Sequence, residues 1–249
     1  MAIIAVYSPK GGVGKTTIAV DMAWRCAVRG GHRTLLWDLD IQGGAGFLLG
    51  AEPNQHPRAA SLFQREGNAR RLVCSTRYTG LDQLQADPSL RQLPLQLARL
   101  GQRSRLSWLT RDLRRDYARI VLDCPPVLNE LSEQIFAAAD LVILPLPPSP
   151  LGARALDQLR AEFSRRDRRH PPVLPLISMF DSRRKAHHEV RNGSMAGLPM
   201  IPAASPIEQM AFRRTPVGVF APSSDASRAL DRVWREVETK LGELKIPPV

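Results

Sequence analysis

The run Lys10-Gly11-Gly12-Val13-Gly14-Lys15-Thr16-Thr17 sets glycines, two ammonium groups and two hydroxyls side by side. Glycines in a tight turn let successive backbone N–H groups close around phosphate oxygens. At this spacing Lys15 would reach the β- and γ-phosphates of a nucleotide, and the Thr16 hydroxyl would hold Mg²⁺. The competing reading is a plain glycine-rich turn or a dinucleotide fingerprint. Gly12 and Gly14 fit G-x-G, but Thr17 stands where the third glycine belongs. The loop also departs from the standard phosphate-loop pattern. Pro9 occupies the place of the glycine expected five residues before Gly14, and Lys10 follows it. The chain has five lysines against thirty arginines, and two of the five lie here. A compact ammonium suits a crowded phosphate site better than a guanidinium fork.

Two carboxylate motifs complete the chemistry. Asp38-Leu39-Asp40 follows an apolar run, and alternation sets both aspartates on one side of an extended segment. Asp123 ends a second apolar run and precedes Cys124-Pro125-Pro126. A carboxylate after an apolar strand is the arrangement that holds Mg²⁺ directly or through water. Alone, each could equally cap a helix or make a turn. Next to a phosphate loop, three together read as a site.

These groups need elements to bring them together. Ile3–Tyr7 reads as a buried strand, and the helical pattern from about Thr16 to Arg29 stops at Gly30-Gly31. Further strands read at Arg33–Trp37, Leu72–Cys74, Leu81–Leu84, Ala118–Leu122, Leu141–Leu144 and Val173–Ser178. Helical patterns lie near 95–101, 104–115, 130–138, 150–167, 184–194, 205–213 and 224–241, the last with Ala226, Leu230, Val233, Val237 and Leu241 on one face. Alternation of strand and helix predicts an α/β fold, a mainly parallel twisted sheet with helices on both faces, in a single P-loop domain over residues 1–249. Ligands of such sheets collect at the carboxyl ends of strands. Pro53–Arg70 reads as a surface excursion.

Composition agrees. A chain of 249 residues supports one substantial core. It has no apolar run of about eighteen residues and no signal-peptide pattern, which predicts a cytoplasmic protein without a transmembrane span. Cys26, Cys74 and Cys124 are widely spaced and read as reduced thiols. The formal charge of +11 raises the expectation of a polyanionic partner. The surplus concentrates in 99–119, with seven arginines against two aspartates, and in 160–191, with nine basic residues against four acidic ones.

Taken together, Lys10–Thr17, Asp38-Leu39-Asp40 with Gln42-Gly43, and Tyr117 through Pro126 resemble the ParA/MinD family of deviant Walker A ATPases, and ParA more than MinD. Ala139-Asp140 leading to Leu144-Pro145-Leu146, Ser178-Met179-Phe180-Asp181, and Ile201-Pro202 extend the likeness to about residue 240. The resemblance implies an ATPase that binds ATP with Mg²⁺, forms a homodimer around two nucleotides, and binds nucleoid double-stranded DNA without sequence preference. It also implies slow hydrolysis, stimulated by a ParB-like or cargo-bound protein, that positions a plasmid, a chromosome region or a protein assembly. Carried over residue by residue, the loop from Lys10 through Gly11, Gly12, Val13, Gly14, Lys15, Thr16 and Thr17 binds nucleotide, joined by Phe180. Thr16, Asp38 and Asp123 arrange Mg²⁺, Asp40 orients the attacking water, and Lys10 crosses to the partner's nucleotide. The best DNA-contact positions are Arg183, Arg184, Lys185, Arg213 and Arg214, with Arg165, Arg166, Arg168 and Arg169 behind them.

The chain also departs from the family. Ile41 stands where ParA proteins usually carry proline, the sequence opens on its first strand where many plasmid members place a helix-turn-helix, and residues 242–249 read as too short and proline-broken for a MinD-type membrane helix. A MinD-like membrane ATPase and a P-loop maturation enzyme are the alternatives. His187-His188-Glu189 is the nearest approach to a second constellation, and it reads as solvated surface.

Overall fold

The computed structural model describes residues 1–52, 59–63, 68–100, 104–164 and 170–244. Eight strands form one sheet: β1 Ala2–Val6, β2 Thr34–Asp38, β3 Val73–Ser75, β4 Leu81–Leu84, β5 Arg119–Asp123, β6 Leu141–Leu146, β7 Val173–Phe180 and β8 Met200–Pro202. Their order is β3-β4-β2-β5-β1-β6-β7-β8. Every pairing is parallel except that of the edge strand β3 with β4. Ten α-helices accompany them among the described residues: α1 Lys15–Trp24, α2 Gly44–Leu48, α3 Leu93–Leu100, α4 Arg105–Leu113, α5 Glu130–Ala138, α6 Pro150–Ser164, α7 Lys185–Asn192, α8 Ser205–Arg213, α9 Val217–Phe220 and α10 Asp225–Glu243.

Period-two alternation divides the central strands between two cores. Ile3, Ala5 and Tyr7 join Leu35, Trp37, Ile120 and Leu122 on the face packed with residues of α3 to α6. Ala2, Ile4 and Val6 join Leu36 and Val121 on the face packed with α1 and α10. The predicted apolar stripe of α10 is buried there, through Ala226, Leu230, Val233, Val237 and Leu241. Polar contacts fasten the same helix. Buried Arg25 donates to Asp21, Asp231 and Ser227, and Arg119 donates to Glu238 at 2.6 Å. Gly218 lies against the Trp24 ring, where a Cβ would come within 2.2 Å of it.

Three short elements differ from the sequence reading. Strand β8 has only three residues, one of them Pro202, and exists because β7 supplies a template. Helices α2 and α9 are five and four residues long, too short for a periodic pattern. The Pro53–Arg70 excursion is a correction in part. Residues 53–58 and 64–67 lie outside the described ones, but Ala59–Phe63 is a 3₁₀ turn whose Ala59, Ala60, Leu62 and Phe63 are buried. Phe63 sits 6.3 Å from Trp37, and Ala59 N–H donates to Asp87 at 2.7 Å. That anchor is a distant acceptor, invisible to local pattern.

Because Leu230 is buried in the core that α10 and α1 form on one face of the sheet, Leu230→Ala should lower stability by about 2–5 kcal/mol. Urea unfolding followed by circular dichroism measures this, with an unchanged denaturant slope expected.

Candidate active site

The strand order makes the site. β5 lies between β1 and β2, with Val6 opposite Asp123 and Asp123 opposite Asp38 in register. The phosphate loop leaves the end of β1, so the loop and both strand-end aspartates meet at one carboxyl edge. Leu39 N–H donates to Asp123 O at 2.9 Å, which carries the pairing one residue beyond β2 and aims Asp40 past the edge.

Gly12 and Gly14 adopt φ of 69° and 81°, a left-handed backbone that side chains resist. No atom lies within 4 Å of the point where either Cβ would sit. A Cβ would therefore meet no steric barrier at either position, and the backbone conformation is what calls for glycine there. Lys15 opens α1, is 7% exposed, and donates from Nζ to the Lys10 carbonyl at 3.1 Å. Burial lowers its pKa, and the facing Asp123 and Asp40 oppose that shift.

The two strand-end carboxylates differ in their partners. Asp38 is 1% exposed and accepts from Asp40 N and Ala45 N, both at 3.0 Å. Asp123 is fully buried, and neither of its oxygens accepts a hydrogen bond of good geometry. The Thr16 hydroxyl is the neighbour that most favours its ionised form. Burial pushes the Asp123 carboxyl up to about 7; Thr16 and Lys15 pull it down and Asp40 pushes it further up. Burial, then the charge of Asp123, raises Asp38 well above the usual carboxylate range. Among the described residues no three His, Cys, Asp or Glu side chains form a metal cluster. Two carboxylates, the Thr16 hydroxyl and open room for water and nucleotide oxygens fit Mg²⁺, which keeps several waters and few protein ligands. The orphaned oxygens of Asp123 are the observation that carries this fit.

Around this centre, Asp40 is half-buried and its Oδ1 accepts from Gln42 N at 3.1 Å. Val13 is buried beneath the loop, and Thr17 is half-buried on α1. Phe180 is a correction: its ring is 4% exposed, belongs to a core cluster, and lies under His187, His188 and Arg191. It offers no face to a nucleotide and instead supports the β7–α7 turn. The histidines are a second correction. Asp181 N donates to His187 Nδ1 at 3.0 Å, and His188 Nε2 lies 2.8 Å from Ser182 O, so both staple that turn.

The basic positions differ in freedom. Arg183 makes a two-pronged contact with Asp181 at 2.9 Å, Arg184 lies 3.5 Å from the same carboxylate, and Lys185 lies 3.9 Å from Glu189; all three are exposed. Together these arginines hold Asp181 well below the usual carboxylate range. Arg213 stacks 4.9 Å over Phe220 and donates to Gln209. Arg214, with φ 50°, donates to Phe47 O at 3.2 Å and Ala51 O at 2.6 Å, which clamps the end of α2. Sequence reading missed this tether; an arginine at a helix end carries no local sign of a partner 160 residues away. Arg165, Arg166, Arg168 and Arg169, and the tail at 245–249, lie outside the described residues.

A family model described as an AAA domain matches residues 1–172. The chain is 35% identical over 196 residues to the chromosome partitioning protein ParA of Myxococcus xanthus, covering 76% of this chain and 68% of that one. The chain belongs to the ParA/MinD family of P-loop ATPases. Its fold matches a Cyanothece McdA–ATP complex with a TM-score of 0.82 at 20% identity, covering 96% of each chain. It also matches the cobyrinic acid a,c-diamide synthase of Mycobacterium smegmatis with bound ATP analogue and magnesium, with a TM-score of 0.81 at 25% identity, covering 97% of this chain and 95% of that one. Within the ParA/MinD fold, an eight-stranded, mainly parallel sheet carries the site at its edge. No helix among the described residues is long and apolar enough to cross a membrane.

The raised carboxylates give this ParA/MinD-family site a pH signature. Folded Asp123 holds a proton up to about pH 7, whereas an unfolded aspartate loses it near the ordinary value of 3.8. The folded state then binds more protons between those values, so this group costs the empty fold stability as pH rises through that window. A bound divalent cation requires the ionised form. Mg²⁺ titrated into ADP-loaded protein should therefore release a proton at pH 6, progressively less by pH 8.5, and bind more tightly as pH rises. Calorimetry in two buffers of different ionisation enthalpy reads the proton count, and release that does not change with pH would contradict the assignment.

Proposed function

We propose that this protein is a ParA-type positioning ATPase that uses ATP and Mg²⁺. Two ATP-bound protomers pair around their nucleotides, the pair binds double-stranded nucleoid DNA without sequence preference, and a ParB-like or cargo-bound protein stimulates slow hydrolysis. The observation that carries this reading is the pair of lysines in one loop. Lys15 is turned into the site against the Lys10 carbonyl, while Lys10 stands on the half-buried rim. Two ammonium groups beside one empty phosphate cradle repel, and a second nucleotide across a two-fold interface gives the outer one its counter-charge.

The chemistry follows from position and charge. Backbone N–H groups of Gly11 to Thr17 and the Lys15 ammonium bind the phosphates. Thr16, Asp38 and Asp123 would hold Mg²⁺, which would supply neutralisation of the phosphate charge. Asp40 Oδ1 is fixed by Gln42 N–H, and Oδ2 has no hydrogen bond among the described residues, so it is free to accept one from the attacking water. Arg183, Arg184, Lys185, Arg213 and Arg214 supply the DNA surface. The relation of ATP to that surface has a short physical route. Asp38 holds the first turn of α2 at Ala45, Gly44 packs on Thr16, and Arg214 holds its last turn. A shift of Asp38 or Thr16 would therefore reach the basic edge through α2 and Arg214.

Lys15→Ala should lose about 1.5–3 kcal/mol of ATP affinity, roughly ten- to a hundredfold. Lys10→Ala should keep most of that affinity but fail to pair with ATP, and Asp40→Ala should pair and then hold its nucleotide. Light scattering and phosphate release read these three together; pairing and turnover by Lys10→Ala equal to wild type would sink the two-nucleotide reading.

For DNA, alanine at Arg183, Arg184, Arg213 and Arg214 should flatten the slope of log affinity against log salt by about 0.9 for each phosphate no longer neutralised. Equal slopes for variant and wild type, measured with ATP and a random duplex, would place the DNA surface elsewhere.

A further inference from the structure

The π-helical turn Arg25–Arg29 that follows α1 and the N-terminal half of α10 enclose an open groove of about 470 Å³. Arg25, Arg29, Arg228, Arg232 and Arg235 line it, against the single carboxylate of Asp231. We propose that this groove is a phosphate-oxyanion site, separate from the nucleotide loop and from the α7–α8 basic edge, and that it acts in a single protomer whatever nucleotide is bound.

Some of these charges are already neutralised within the fold, and some are not. Arg25 forms the floor, is 1% exposed, and is held by Asp21, Asp231 and both oxygens of Ser227. Asp231 then has too many partners. One oxygen takes Arg25 at 3.1 Å and lies 4.0 Å from Arg29, and the other takes Arg235 at 2.8 Å. One negative charge thus faces three guanidinium groups. Arg228 pairs with Asp225 and donates to the Ser223 carbonyl, whereas Arg232 has no ion pair among the described residues.

The geometry favours an oxyanion. Positions 228, 232 and 235 follow i, i+4, i+7 spacing, so the three arginines form one exposed stripe about 10 Å long. Like charges at such spacings weaken a helix by a few tenths of a kcal/mol, a cost that a bound anion removes. Arginine forks match phosphate oxygens two at a time and are weakly hydrated. The turn after α1 is also irregular: Arg25–Arg29 is π-helical, a rare geometry that is frequent at functional sites, and both of its arginines face Asp231. The phosphate can come from a nucleic-acid backbone or from a small free phosphate.

The test compares wild type with an Arg228→Gln/Arg232→Gln/Arg235→Gln variant, both saturated with Mg·ADP so that the nucleotide loop is filled. Circular dichroism melts and ATP turnover check that the variant folds, and a matching lysine variant keeps the charge. One arm reads binding of a fluorescent 24-base-pair duplex across a salt series; the other reads the shift in melting temperature with pyrophosphate. A duplex slope flatter by about 2–3 units in the glutamine variant, restored in part by lysine, identifies backbone phosphate as the ligand. Loss of pyrophosphate protection with an unchanged duplex slope identifies a small phosphate. A glutamine variant equal to wild type in both arms overturns the inference. The Arg183/Arg184/Arg213/Arg214 alanine variant runs beside them with ATP in place of ADP: if it loses duplex binding there while the glutamine variant equals wild type in both ADP arms, the proposed function stands and this site falls.

Discussion

Everything at the catalytic edge depends on two like charges placed side by side. Asp38 and Asp123 are opposite each other on neighbouring strands, both essentially removed from water. Carboxylates about 5 Å apart repel by about 3 kcal/mol at an effective dielectric near 20, several times thermal energy. The sheet cannot relieve this by moving one strand, because β5 is paired on both sides. The pair must share a proton, take a cation, or lean on nearby donors. Lys15 and Thr16 are the donors at hand, and they arrive on the helix that follows the phosphate loop. On the proposed reading, a divalent cation would relieve this repulsion by giving both carboxylates a counter-charge.

The same frustration gives the fold a means of reporting its state. Asp38 is a strand-end carboxylate and also the acceptor that orders the start of α2 through Ala45. That helix is five residues long and begins after Gly43 in a left-handed conformation, so it has little stability of its own. Its geometry is borrowed from Asp38 and Thr16 at one end and Arg214 at the other. A marginal element held at both ends by charged groups is the kind that changes arrangement when one of those groups gains a ligand. On the proposed reading, this short helix is where nucleotide chemistry becomes a change at the basic surface.

How much of this the sequence disclosed follows from the range of each interaction. The glycine loop, the strand-end aspartates and the amphipathic stripe of α10 are local patterns, and they appear where the spacing put them. Periodicity also sufficed for α5 and α8, whose bounds match the expected ranges, α5 with an Asn129–Ser132 capping box. What sequence reading missed is long-range. Buried Phe180, the histidine staples on the β7–α7 turn, and the tether from Arg214 to α2 depend on partners set by the tertiary fold. The Ala59–Phe63 turn is a further case: flanking polar residues and prolines signal surface, while its own small and aromatic residues fill a gap beside Trp37.

The division of labour between lysine and arginine is a physical choice as well as a compositional one. Lys15 is 7% exposed and enters a cradle built of backbone and glycine, where a single point charge can reach an oxygen without displacing the N–H groups around it. A guanidinium there would bring a plane of several donors into space that the phosphate itself must occupy. On the helices the demands reverse. Arg228 and Arg235 on α10, like Arg183 in the turn before α7, are exposed, meet carboxylates, and can exchange those contacts for phosphate oxygens. Exposed pairs of this kind contribute little stability, with a median near 0–1 kcal/mol, so opening them for an oxyanion costs little. Arg25 marks the limit of that logic: buried and bonded on every side, it is structural, and it holds Asp231 in place for the exposed arginines around it.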